Sequence, residues 1–200
     1  MNTFNALGLQ SDPITSFLVW LDEAKAAGLA QIEAASLATV NAGGKPSIRT
    51  VLFKGLYEND FGFFTNYNSP KAVDLQNNAN AALLFFWQGQ ARQVRINGTV
   101  EKLSDSESRA YFATRDRGSQ IGAWASQQST QLDSRAQLLE QVESLDKKYA
   151  GQEVPCPPHW GGFKIVPSLM EFWQGREDRL HDRFQFTKSG NGWSHQRLAP

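Results

Sequence analysis

Apolar residues follow two periods along this chain, a helical one near the N-terminus and in a few later stretches, and a strand-like alternation through most of the rest. Ile14, Phe17, Leu18 and Leu21 recur at helical spacing, Ser11-Asp12-Pro13 supplies a capping side chain and an early proline, and Gly28 supplies a stop. The period then changes. Residues 35–41 and 47–56 read as strands joined by the hairpin turn Ala42-Gly43-Gly44-Lys45, and residues 61–65 follow as a third. Ser69-Pro70 opens a short helix that ends at Asn77-Asn78. Residues 81–87 are almost continuously apolar, the pattern of a strand buried on both faces, whereas residues 91–103 alternate. The capping-box spacing of Ser104 and Glu107 predicts a helix over 105–114, and the stripe Leu138, Leu139, Val142 and Leu145 another over 133–149. Pro155-Cys156-Pro157-Pro158 enforces an extended connection, after which residues 162–166, 169–174, 183–187 and 193–198 read as strands. Many short strands with helices set between them predict a mainly β, α+β fold: an antiparallel barrel with peripheral helices.

The length of 200 residues suits one domain over 1–200, with residues 1–10 expected to be a flexible N-terminal segment. Twenty basic residues balance twenty acidic ones, which gives no reason to expect nucleic acid or an anionic membrane as partner. Arginine is unevenly placed, however: only Arg49 precedes residue 90, while Arg176, Arg179 and Arg183 crowd one short segment. Such a cluster suits a small anion better than a long polyanion. Cys156 is the single cysteine, so no intrachain disulfide or cysteine-rich zinc site is expected and a reducing cytoplasm is the simplest setting. The sequence contains no dinucleotide-binding Gly-x-Gly-x-x-Gly, no phosphate-loop lysine motif, no His-Glu-x-x-His and no Gly-x-Ser-x-Gly.

Four constellations carry the chemistry that remains. Arg49-Thr50-Val51-Leu52-Phe53-Lys54 is a strand with a cation at each end; alternation sends the two to opposite faces, where they serve two anionic groups or are plain solvated charges. Thr65 to Lys71 joins a strand end to a helix start, a place that attracts phosphate and is also found in any capped helix. Tyr111 and Arg115, four residues apart, would share one helical face and could close on one phosphate or stack at the surface; Ser119 and the Gln127-Gln128-Ser129 run add neutral donors and acceptors. The segment from Glu171 to Arg183 joins an aromatic strand to a turn holding three arginines and His181, with Trp173 as a flat apolar surface.

These segments, with Arg92-Gln93-Val94, Ser119-Gln120-Ile121-Gly122-Ala123-Trp124, Trp160-Gly161-Gly162, Arg179-Leu180-His181-Asp182-Arg183 and Arg197-Leu198-Ala199-Pro200, occur in the order and spacing of the pyridoxamine/pyridoxine 5'-phosphate oxidase family. The resemblance covers roughly residues 35 to 200. It implies an FMN-binding split β-barrel, Greek-key-like and antiparallel, forming a cytoplasmic homodimer with FMN at the subunit interface. It implies that Arg49, Thr50, Val51, Leu52, Phe53, Lys54, Phe64, Thr65, Lys71, Gln93, Gln128, Ser129, Trp173 and Arg183 hold the cofactor. Lys54, Tyr111, Arg115, Ser119, Arg179, Leu180 and His181 would bind the substrate, Arg179 and His181 as the catalytic pair. The reaction so implied oxidises pyridoxine or pyridoxamine 5'-phosphate to pyridoxal 5'-phosphate, with dioxygen as acceptor and hydrogen peroxide as product. Two alternatives share the fold: an oxidase of the phenazine-pathway type, and a non-catalytic flavin- or pyridoxal-phosphate-binding storage or sensor protein. The chain departs from the family pattern at Pro70, where an arginine is usual, and in residues 1–10, which lack the usual basic arm.

Overall fold

The computed structural model describes residue 4 and residues 7–200. Helix α1 (Pro13–Ala26) starts at Asp12, whose carboxylate accepts from the N–H groups of Ile14 and Thr15, and is followed by Gly28 in the left-handed region at φ +68°. It buries Phe17 and Trp20, each fully enclosed; a side chain such as Phe17 contributes roughly 1.5–3 kcal/mol on burial. Of the N-terminal segment expected to be flexible, residues 1–3, 5 and 6 lie outside the described residues, whereas Leu7 and Leu9 are buried in the core. No described helix is long and apolar enough to cross a membrane.

The strands are β1 (Ala34–Val40), β2 (Pro46–Leu52), β3 (Leu56–Tyr57), β4 (Asp60–Asn66), β5 (Asn80–Trp87), β6 (Arg92–Lys102), β7 (Trp160–Gln174), β8 (Asp182–Ser189) and β9 (Gly192–Leu198). All pairings are antiparallel, in the order β2-β1-β5-β6-β7-β4-β3, with β8 and then β9 attached to β7. The two strands expected over 162–166 and 169–174 are therefore one, continuous past Pro167 because the register against β6 shifts at Asn97/Gly98. The first half of β7 pairs with β4 and the second half with β8, so this strand joins two regions of the sheet. The strand expected over 47–56 ends at Leu52, since Lys54 N–H leaves β1 and donates to Gly62 O on β4.

Helices α2 (Pro70–Asn77), α3 (Asp105–Ala113), α4 (Arg117–Ala125) and α5 (Arg135–Lys148) lie among the strands in sequence, and α3 carries the expected Ser104–Glu107 capping box. Phe112, Ile121, Tyr149, Val154 and Trp160 form a second apolar cluster that attaches the α3–α5 region to the start of β7. The expectation that residues 81–87 are buried on both faces is corrected: Leu83, Phe85 and Trp87 are buried, while Phe86 is 54% exposed. Ile48 (70%) and Leu52 (48%) are likewise exposed on β2, two strands away.

Candidate functional site

A cavity of about 390 Å³ gathers Leu52, Lys54, Phe64, Thr65, Tyr111, Arg115, Ser119 and Gln128 from separate parts of the chain, with Asn66, Gly122, Ala123, Ser126 and Trp160 completing its wall. Its floor is aromatic. The Phe64 ring stacks on Tyr111 at 3.9 Å between centroids and on Trp160 at 5.3 Å, nearly parallel to both. Gly162, paired with Phe64 across β4 and β7, permits this packing, because a Cβ there would collide with Leu103 and Phe64. Arg115 lies over Trp160 at 4.8 Å from the ring centroid and over Phe112 at 5.7 Å.

The Arg115 guanidinium is held by these rings and, among the described residues, forms no ion pair, and its Nη1 is buried without a hydrogen-bond partner. Burial lowers its pKa, with Tyr111 and Asp116 opposing that fall, and burial raises the pKa of Tyr111. The expectation that Tyr111 and Arg115 share a helical face is corrected: α3 ends at Ala113 with Thr114 as its cap, so Arg115 lies just beyond. Both side chains still reach the cavity. The helix α4, not foreseen from the sequence, carries Ser119 and Gly122 to the same wall; Asp116 caps it by accepting from Ser119 N–H at 2.7 Å.

A second group of cations adjoins this cavity. Lys71 Nζ donates to Gln128 Oε1 at 2.7 Å, Thr65 Oγ1 at 3.0 Å and Ser69 Oγ at 3.2 Å. Its pKa is lowered by burial and, secondarily, by Arg49. Arg49 is itself half-buried, its Nη1 donating to Thr39 Oγ1 at 2.6 Å and its Nη2 3.8 Å from Asp74. Among the described residues, these two neighbouring cations thus share one nearby carboxylate, that of Asp74. Leu52 and Lys54 face the cavity while Val51 and Phe53 are core residues, as alternation requires; Val51 and Phe53 can meet a ligand there only through their backbone. Thr50 shares the exposed face of β2 with Leu52, and Ser129 is exposed beside the cavity at φ +70°.

The remaining candidates form a separate cluster. Gln93, Trp173 and Arg183 stand in one row across β6, β7 and β8. The Trp173 and His181 rings approach to 4.7 Å. Arg183 Nε donates to Glu171 Oε1 at 2.8 Å, and Arg95 Nη2 holds the other oxygen of this buried carboxylate at 2.7 Å. The turn between β7 and β8 places Asp178 and Arg179 in the left-handed region at φ +53° and +61°, a strained conformation for side-chain-bearing residues, and leaves Leu180 68% exposed. Asp182 fastens the turn by pairing with Arg176 at 2.8 Å and with Arg197. None of these residues lines the cavity. Gly161, beside the cavity, and Trp173 are separated along β7 by roughly 40 Å of extended strand at about 3.3 Å per residue.

The cavity therefore offers a flat aromatic floor, a half-buried guanidinium with an unpartnered Nη1, one lysine with a second adjoining it, and several neutral donors, a set suited to flat and anionic ligands.

Two family models match the chain: "Pyridoxamine 5'-phosphate oxidase" over residues 21–148, and "Pyridoxine 5'-phosphate oxidase C-terminal dimerisation region" over residues 160–200. Among curated relatives, the pyridoxine/pyridoxamine 5'-phosphate oxidase of Rubrobacter xylanophilus is 49% identical over 96% of this chain and 89% of its own. That of Cupriavidus taiwanensis is 52% identical over 94% and 89%. The solved structure of PhzG from Burkholderia lata 383, in complex with tetrahydrophenazine-1-carboxylic acid, superposes with a TM-score of 0.91 at 31% identity, covering 96% of this chain and 94% of that one. A pyridoxamine 5'-phosphate oxidase-related, FMN binding protein from Nostoc punctiforme shares the fold at a TM-score of 0.76 and 17% identity, with 96% and 100% covered.

Proposed function

The chain belongs to the pyridoxamine 5'-phosphate oxidase family, and on that premise we propose that it oxidises pyridoxine and pyridoxamine 5'-phosphates to pyridoxal 5'-phosphate with FMN as cofactor and dioxygen as acceptor, releasing hydrogen peroxide. The observation that carries the reading is Arg115. Its guanidinium is half-buried with Nη1 enclosed and unpartnered, which is costly unless a ligand completes it, and a substrate phosphate beside Lys54, Tyr111 and Ser119 would do so. The Arg49–Lys71 pair, close together and underneutralised, suits the cofactor phosphate, with Thr65 and Gln128 beside it. Bound FMN supplies the two-electron acceptor that dioxygen then reoxidises. The protein's own part is to hold both phosphates and to orient the substrate carbon.

Arg179 and His181 reach a substrate only if a second copy brings its β7–β8 turn to this cavity, so the proposed enzyme is a homodimer with composite sites. Two observations support this: residues 160–200 match a dimerisation region, and the exposed Ile48, Leu52 and Phe86 require a cover. The single free cysteine, Cys156, supports a reducing, cytoplasmic setting.

The likeness to PhzG favours one second reading, oxidation of an unphosphorylated tricyclic acid. Lys54, Tyr111, Arg115 and Ser119 together support a phosphorylated substrate instead. Peroxide release from the purified yellow protein, measured with pyridoxine 5'-phosphate, with unphosphorylated pyridoxine and with a reduced phenazine carboxylate, separates these readings. Activity confined to the phosphorylated compound is expected; turnover of the tricyclic acid alone establishes the second reading, and binding without peroxide establishes a non-catalytic binding protein.

A further inference from the structure

Thr39 is fully buried near the end of β1, where a hydroxyl has no packing advantage over a methyl group. Its Oγ1 accepts from Arg49 Nη1 at 2.6 Å and donates to Asp74 Oδ2 at 2.7 Å. The direction of both bonds is fixed, since a guanidinium has no acceptor and an ionised carboxylate no donor. Asp74 is too far from Arg49 for a hydrogen bond, at 3.8 Å, so the hydroxyl bridges the two. Leu37 O, at 3.4 Å, is the other acceptor for Nη1. Among the described residues, Nε and Nη2 of Arg49 make no hydrogen bond, which leaves them for a ligand. Asp74 lies one turn after Lys71 on α2, so the helix that carries one cation of the pair also anchors the other.

We infer that Thr39 and Asp74 are positioning residues for the cofactor phosphate: acting in series, they fix the Arg49 guanidinium beside Lys71 so that its free donors face the phosphate. This rests on the proposed FMN site. It makes Arg49 a preorganised donor rather than a flexible charge, and in a chain with Pro70 at the helix start, more of the grip on the phosphate falls to Arg49 and Lys71.

The test compares FMN with riboflavin, which has the same ring system and no phosphate. The full-length protein, freed of flavin, is titrated with each by fluorescence quenching, for the natural sequence and for Thr39→Val, Thr39→Ser and Asp74→Asn. Thr39→Val and Asp74→Asn are expected to weaken FMN about tenfold while riboflavin affinity is unchanged, and Thr39→Ser, which keeps the hydroxyl, to bind FMN as the natural sequence does. Equal weakening of both flavins shows a merely structural role and overturns the inference. So does tighter FMN binding by Asp74→Asn, which would show that the carboxylate only repels the phosphate. If Thr39→Val does not fold, Asp74→Asn alone decides between these outcomes. A natural sequence that does not prefer FMN to riboflavin refutes the cofactor site itself, a result distinct from failure of the relay.

Discussion

The backbone N–H of Arg176 donates to Nδ1 of His181 at 3.1 Å. A backbone N–H can only donate, so Nδ1 is the acceptor and the proton of the neutral ring sits on Nε2. The turn therefore presents His181 as a hydrogen-bond donor through Nε2, with the ring steadied against Trp173. His181→Ala should lower kcat by roughly ten- to a hundredfold, the worth of one strong hydrogen bond, with flavin still bound. Turnover and flavin absorbance per protomer check this together; loss of flavin would assign the residue to the cofactor instead.

Composite sites predict complementation. Assayed with substrate well below the natural KM, Arg115→Met and His181→Ala homodimers should each keep about a tenth of natural activity or less, yet subunits exchanged between them produce mixed dimers with one undamaged site. Random mixing should restore roughly a quarter of natural activity, because about half the dimers are mixed and each has one good site of two. Activity that stays at the level of the separate variants after verified exchange would place both residues in one protomer's site.

Arg115 separates binding from stability. Among the described residues its guanidinium makes no ion pair or hydrogen bond, and its Nη1 is buried. Arg115→Met should raise KM for the phosphorylated substrate about ten- to a hundredfold and leave the thermal midpoint unchanged or higher. A clear fall in the midpoint would show that the cation serves the fold.

Pro70 is exposed at the first turn of α2, one residue before Lys71. Pro70→Arg should tighten FMN by roughly tenfold and leave riboflavin unaffected. Titration of both flavins checks this, and an unchanged FMN constant would mean that position 70 does not face the phosphate.

The lowered pKa of Lys71 gives the FMN affinity a pH dependence. Burial, and Arg49 after it, favour the neutral amine in the free protein, while a bound phosphate favours the ammonium. Binding then takes up a proton in the window between the lowered free value and the higher bound one. Affinity is full below that window and falls as pH rises through the free-protein pKa, which lies under the ordinary lysine value. Titrations from about pH 7 to about pH 10 should show the fall in the natural sequence and none from this source in Lys71→Arg, whose side chain stays charged. Identical profiles would locate the titrating group elsewhere.

Much of this architecture was legible locally. Asp12, the Ser104–Glu107 box, Gly28 and the Asn41–Lys45 turn act through bonds within a few residues, and the structure contains each of them. Helix α4 escaped notice because Gly118 and Gly122 weaken its helical signal, although Asp116 was a readable cap. Arg115 does not share a helical face with Tyr111 because it lies one residue past the Thr114 cap, and a helix end depends on its cap rather than on periodicity. The motifs named Lys54, Tyr111, Arg115 and Ser119, which do meet in one cavity, but not Trp160 as the surface beneath Arg115. Nor was Thr39 visible, since a buried threonine on a strand looks like any β-branched core residue until its partners from β2 and α2 are in place.

The alternation of β5 has a consequence for how the protein is made. Phe86, Leu52 and Ile48 meet water on a lone protomer, and among the described residues β2 ends the sheet order with one edge unpaired. A newly synthesised chain that finds its mate only at high concentration would spend its first moments as a sticky monomer, so expression rate, temperature and local crowding of nascent chains govern yield as much as the stability of the finished barrel.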